Sequence, residues 1–131
     1  MNNTKTFLDY VNYAKSKITE VDIDMAEQLI LKGYNVLDIR EPHEHNEKKI
    51  KGSINIPRGV LEPAACLNFQ GANPVLRDAR DDNWLIICAT GGRSALATET
   101  LQSMGFNNVS SIAGGLEAWE SAKKETQVGN V

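Results

Sequence analysis

The chemistry this chain is best equipped for centres on a cysteine at the end of an apolar run. Cys88 closes Trp84-Leu85-Ile86-Ile87 and is followed by Ala89-Thr90-Gly91-Gly92-Arg93-Ser94, after which a helix-prone segment begins. Small residues let such a loop curl tightly, and its glycines reach backbone angles closed to other residues. Successive backbone N–H groups then converge on one point above the sulfur, as an anion-binding nest. The N-terminus of the following helix adds partial positive charge at that point. Arg93 adds a permanent cation. All three effects favour thiolate over thiol, and the thiolate is the form that attacks. The competing reading is an inert cysteine buried at a strand end.

A cation beside a helix N-terminus is unfavourable by itself, so the placement of Arg93 implies that it answers an anion; a solvated arginine in the first turn is the alternative. Ala89, Thr90, Gly91 and Gly92 would bind substrate through their backbone N–H groups, with Ser94 closing the loop. Asp38, Arg40 and Arg58 are further candidates for the substrate pocket. Asp38 could pair with Arg93 at its mouth, and Arg58 could draw in an anionic donor. A structural ion pair at a strand end and a solvated arginine are the plainer readings of these residues. His43 and His45 stand among acidic neighbours and read as a solvated face, since side chains two apart diverge on a helix. Cys66 sits beside apolar residues as a small, half-buried side chain, with a second sulfur relay as the alternative. Trp84 and Trp119 read as core.

Several elements must position Cys88. Residues 4–17 read as a helix, with Phe7, Val11 and Ala14 on one face. An extended piece ends near Val21. Asp22 then caps a helix whose face carries Ile23, Ala26, Leu29 and Ile30, and Gly33 follows it in the left-handed position expected there. Residues 36–39, 53–56, 84–88 and 109–112 read as strands, and 94–104 and 116–122 as helices. Strands that alternate with helices, in runs too continuously apolar for a half-exposed sheet, indicate parallel α/β architecture. Ligands bind such sheets at the carboxyl ends of strands, where Asp38 to Glu41 and Cys88 to Arg93 lie. The stretch from Pro57 to Asn83 contains Pro63, Gly71 and Pro74, so no single long helix fits it. It reads as a wall of the cleft or a partner surface.

A chain of 131 residues suits one core. With 41% hydrophobic and 24% charged residues it has the balance of a folded soluble domain. Its formal net charge of −3 gives no general attraction to nucleic acid or anionic lipid. No apolar run approaches the roughly 20 residues that span a bilayer, and the polar start does not read as a secretory signal. Two cysteines form no disulfide framework, and two cysteines with two neighbouring histidines do not reach zinc spacing. A cytoplasmic protein without metal or cofactor is the expectation.

Cys88, with four residues before Arg93 and then Ser94, resembles the active-site loop of rhodanese-like sulfurtransferases. Leu37-Asp38-Ile39-Arg40-Glu41 is similar to that family's strand ending in Asp-x-Arg. Ile50-Lys51-Gly52-Ser53-Ile54-Asn55-Ile56-Pro57 resembles its next segment, although Lys49 stands where histidine is usual. Gly105-Phe106 and Gly114-Gly115-Leu116-Glu117-Ala118-Trp119 resemble its C-terminal signature. The resemblance implies a three-layer α/β fold over residues 18–122, with a mostly parallel sheet of about five strands. Residues 1–17 would be a helical extension and 123–131 a flexible tail.

It also implies a two-step reaction. The Cys88 thiolate takes the outer sulfur of a donor such as thiosulfate as a persulfide, and a thiophilic acceptor, cyanide or a thiol, removes it. The implied partners are small sulfur compounds and a thiol or protein acceptor, with the chain a monomer or homodimer. Phosphatases of similar architecture have five residues between cysteine and arginine. Four here should narrow the ring and favour a lone sulfur over a phosphoryl group. A rhodanese-like binding module with little turnover is a further alternative, although inactive modules often lack the cysteine that is present here.

Overall fold

The computed structural model describes residues 3–129. Its elements run α1 (Phe7–Lys15), β1 (Thr19–Val21), α2 (Ile23–Leu31), β2 (Asn35–Asp38), α3 (Pro42–Glu47) and β3 (Ile54–Asn55). A 3₁₀ turn at Arg58–Val60 leads to α4 (Leu61–Ala65) and α5 (Pro74–Arg77). Then follow β4 (Asn83–Ile87), α6 (Gly92–Ser103), β5 (Asn108–Ile112) and α7 (Gly115–Ser121). The five strands form one parallel sheet in the order β1-β5-β4-β2-β3.

Strand parity explains why the central strands are apolar throughout. Leu37, Ile39, Trp84, Ile86 and Cys88 join the layer that also holds Leu61, Leu76, Ala97 and Leu101 from α4, α5 and α6. Val36, Leu85, Ile87 and Ile112 pack in the other layer with Ala26, Leu116 and Trp119 from α2 and α7. Alternate side chains point to opposite faces, and here both faces are covered. The same parity sends the Cys88 side chain to the side of α6.

The capping expectations hold. Asp22 accepts the N–H of Met25 at 2.8 Å, and Gly33 has φ +102°. The first helix is shorter than 4–17 because Thr6 and Asp9 form a capping box that starts it at Phe7. Val11 and Ala14 pack on Ala95 of α6, whereas Phe7 stays 62% exposed and lays its ring over Gly92. The segment 57–83 is anchored to the body where Leu61, Ala65 and Leu76 fill the sheet layer, while Leu67 and Phe69 remain exposed.

Two other expectations are corrected. Residues 123–129, read as a flexible tail, are tied to the body. Lys49 and Gln127 exchange backbone hydrogen bonds, Gly129 N–H donates to Asn46, and Lys124 pairs with Asp24 and Glu27. Trp119 Nε1 also donates to the Glu125 carbonyl, which needs the tail to turn back. Residues 130 and 131 lie outside the described residues, as do 1 and 2. His45 is not on a solvated face. It is half-buried on α3, with Nε2 3.1 Å from Ser53 Oγ, while His43 is exposed.

Burial holds the His45 imidazole below its ordinary value of 6.5, assisted by the Lys49 and Arg40 charges and opposed by Asp38. The unfolded chain therefore takes up this proton first as pH falls. The contribution is present above about pH 6.5 and is lost on acidification. A His45→Gln variant should lose less stability than the parent between about pH 7 and pH 5 in urea melts; equal losses would refute the role. At the β5–α7 turn, Gly115 has φ +61°, and a Cβ there would lie 2.5 Å from the Cys88 carbonyl oxygen. Gly115→Ala should cost about 2 kcal/mol or more in the same melts, and a change within about 0.5 kcal/mol would show that the contact yields freely.

Candidate active site

Cys88 is the first residue after β4, and its side chain is 1% exposed beneath the N-terminus of α6. Two amides reach its sulfur: Gly91 N–H at 3.1 Å and Ser94 N–H at 3.2 Å. The chain reaches this geometry because Gly91, the N-cap of α6, adopts φ +102°. That conformation is strained for a residue with a Cβ, and a Cβ would also lie 3.0 Å from the Gly114 nitrogen.

Amides can face the sulfur only if the loop carbonyls face elsewhere. Leu116 N–H takes the Cys88 carbonyl at 2.8 Å, and Glu117 N–H takes that of Ala89 at 3.0 Å. Ala95 N–H takes the Gly91 carbonyl at 3.2 Å. The first turn of α7 thus uses its unpaired N–H groups to hold the loop carbonyls away from the sulfur. Gly114 and Gly115 permit that approach. The residues carrying this function were visible in the sequence as a glycine pair before a helix and as part of the C-terminal signature, without the role the fold gives them. Their partner, the backbone of Cys88 and Ala89, lies well over twenty residues earlier in the chain and left no local signal.

Hydroxyl groups complete the surroundings. The Cys88 thiol donates to Ser94 Oγ at 3.4 Å, and Ser94 Oγ donates to the Gly91 carbonyl at 3.2 Å. Ser94 Oγ also lies 2.8 Å from Ser111 Oγ of β5. Ser111 is fully buried and was not among the candidates from sequence.

The charged candidates are arranged differently from the sequence reading. Asp38 pairs with Arg40 at 2.8 Å, not with Arg93. Arg40 also donates to the Lys48 carbonyl, and Asn55 Nδ2 donates to the carbonyls of Asp38 and Arg40. This cluster fixes the chain as it leaves β2. Arg93 instead forms a two-pronged pair with Glu44 of α3, both bonds 3.2 Å. The pair holds Glu44 below its ordinary carboxylate value, chiefly through the Arg93 hydrogen bonds, and raises the Arg93 value for the same reason. The Cys88 and Asp38 charges act on Arg93 in the same direction. Glu44 therefore offsets the cost of placing Arg93 in the first turn of α6.

Arg58 points elsewhere. It pairs with Glu62 at 3.1 Å and donates to Thr100 Oγ1 in the third turn of α6. Cys66 is half-buried and donates to Asn68. No cluster of three metal-binding side chains occurs among the described residues. No helix among them is long and apolar enough to cross a membrane. Beside the loop opens a cleft of about 390 Å³, lined by Arg40, Ala89, Leu116, Glu117, Glu120 and Ser121. Thr90, at the loop crest, is exposed. Chemically, this is a recessed sulfur surrounded by fixed amide donors, a hydroxyl and a nearby cation.

Comparison with known proteins gives the chain its family. A chloroplastic protein named thiosulfate sulfurtransferase 16, from Arabidopsis thaliana, is 33% identical over 110 residues, covering 77% of this chain and 86% of its own. A protein of unknown function from Rhodopseudomonas palustris CGA009, described as a possible tyrosine phosphatase, superposes with a TM-score of 0.87 at 32% identity. That match covers 97% of this chain and 98% of the other. A rhodanese-related protein from Thermoplasma volcanium superposes with a TM-score of 0.70 at 32% identity, covering 84% of this chain and 98% of its own. The family model of the rhodanese-like domain matches residues 22–122, which hold the whole sheet except β1, and the chain belongs to that family.

Proposed function

We propose that this protein is a sulfurtransferase that moves sulfane sulfur from a donor such as thiosulfate to a thiophilic acceptor through a persulfide on Cys88. Membership of the rhodanese-like family and the names of its relatives support sulfurtransferase activity in general. The observation that carries the finer reading is the pair of amides on Cys88 Sγ at the head of α6.

In the first step Cys88 Sγ attacks the outer sulfur of thiosulfate. A new S–S bond forms, the old one breaks, and its electron pair leaves with sulfite. In the second step cyanide or a thiolate attacks that outer sulfur and returns the electron pair to Sγ. Oxidation states balance without an external oxidant or a cofactor. Negative charge remains on sulfur throughout, and preorganised amide dipoles stabilise it without reorienting. The cysteine acts as a covalent carrier. The acceptor is a small-molecule or protein thiol in a cytoplasmic setting.

The similarity to a possible tyrosine phosphatase from Rhodopseudomonas palustris favours a second reading, phosphoryl transfer. Both chemistries need a cysteine, a ring of amides and an arginine. Here four residues separate Cys88 from Arg93, and Arg93 is engaged with Glu44, so the site better fits one sulfur atom than a phosphoryl group.

Purified protein incubated with thiosulfate should gain the mass of one sulfur atom, reversibly with reductant and not in Cys88→Ser. Failure to gain it from any sulfane donor would leave a binding module; faster hydrolysis of an aryl phosphate than sulfur transfer would favour the phosphatase. Arg93→Ala should slow persulfide formation by roughly tenfold, since it removes the cation nearest the loop and leaves Glu44 unpaired. An unchanged rate with thiosulfate would remove Arg93 from the mechanism.

A further inference from the structure

We infer that Ser111 is a positioning residue that keeps Ser94 able to serve the Cys88 sulfur after that sulfur has lost its proton. The inference rests on the proposed reaction only in taking the Cys88 thiolate as the working state. It follows from counting protons in a buried cluster. Ser94 and Ser111 are both fully buried, so neither hydroxyl finds solvent. Each carries one proton and two lone pairs.

With Cys88 as a thiol, the count closes. The thiol donates to Ser94 Oγ, Ser94 donates to the Gly91 carbonyl, and Ser111 donates to Ser94. Among the described residues Ser94 Oγ is the hydrogen-bond partner of Ser111 Oγ. That direction follows because Ser94 has already given its proton to Gly91.

Once Cys88 is a thiolate, or carries a second sulfur, Sγ has no proton and can only accept. The Ser94 hydroxyl then turns from the Gly91 carbonyl to Sγ. The carbonyl is not orphaned, since Ala95 N–H still reaches it at 3.2 Å. Ser94 Oγ, however, has lost the donor it had in the thiol. Ser111 is the donor that remains. Removing the Ser111 hydroxyl would leave the thiol state satisfied and strip the thiolate state of its last donor to Ser94. A buried hydroxyl without that partner is costly. The penalty falls on one protonation state, which separates this role from simple packing.

The test follows the ultraviolet absorbance of the thiolate against pH, in a Cys66→Ser background and with the Cys88→Ser signal subtracted. No sulfur donor is present, so the result stands apart from whether Cys88 carries sulfur. The charged groups on the surrounding elements are Arg93 of α6, Glu44 of α3, the Asp38–Arg40 pair after β2, and Glu117 and Glu120 of α7 beside the loop, and all stay in place. Ser111→Ala should move the midpoint up by roughly half to one pH unit, a three- to tenfold lower thiolate fraction at fixed pH. In a Ser94→Ala background the same change should add nothing, because the hydroxyl it serves is gone. The isosteric pair Ser111→Thr and Ser111→Val repeats the comparison at constant shape: Thr should titrate like the parent and Val like Ala. A folded Ser111→Ala protein with the parent's midpoint would overturn the inference. So would an equal shift in the Ser94→Ala background, or coincident Thr and Val titrations.

Discussion

The site depends on a division of labour within a few peptide groups. Each peptide carries a donor and an acceptor, so a loop wrapped around an anion brings unwanted carbonyls with the useful amides. Here the carbonyls of Cys88 and Ala89 are taken by the first amides of α7, and that of Gly91 by Ala95. In the loop restrained in this way, the amides of Gly91 and Ser94 face the sulfur. Two helix N-termini meet at the loop with different duties: α6 faces the sulfur, and α7 restrains the backbone around it. Neither works without close backbone approach. That is why side chains are excluded at Gly91 and Gly115, where a Cβ would meet the backbone of Gly114 and of Cys88 and Ala89.

Charges around this cluster are matched in pairs. Arg93 is opposed by Glu44, and Arg40 by Asp38, with Asn55 holding the chain between them. A lone guanidinium at the head of α6 would oppose the helix dipole. Glu44 removes that penalty and also reduces the net field that Arg93 exerts on the sulfur. In the proposed reaction, stabilisation of an anion at Cys88 would then fall largely to uncharged donors held in place by the fold.

Much of this was legible in the sequence, for reasons that are local. The run Trp84 to Cys88 announced a strand buried on both faces; in the structure its parity sets Cys88 with Trp84 and Ile86 beneath α6. Asp22 and Gly33 marked the ends of α2, because caps are encoded within a few residues. What was not legible depends on contacts across the chain. The pairing of Arg93 with Glu44, in preference to Asp38, depends on where α3 lies once β2 has ended. Arg58 looked suited to an anion, yet Glu62 lies one turn further along the chain and takes it up. The tail looked frayed because it is polar, but it pairs through its backbone with Lys49, and composition does not report backbone pairing. Ser111 sat unnoticed in a short strand, since only the fold brings β5 beneath the head of α6.

The reliance on amides and hydroxyls suits the proposed chemistry. In the proposed reaction, negative charge would move between Sγ and the atom beyond it as sulfur is loaded and unloaded. A single counter-ion in direct contact with Sγ would favour one of those positions and hinder the other. Arg93 is instead paired with Glu44. The amides of Gly91 and Ser94, in a loop that α7 restrains, would present the same field at each stage and lose no energy to reorientation. The one group that must change partners is the Ser94 hydroxyl, a rotor whose alternatives, Sγ and the Gly91 carbonyl, both lie within reach. A rigid ring with one rotating donor can follow the charge along the sulfur chain while the backbone stays still.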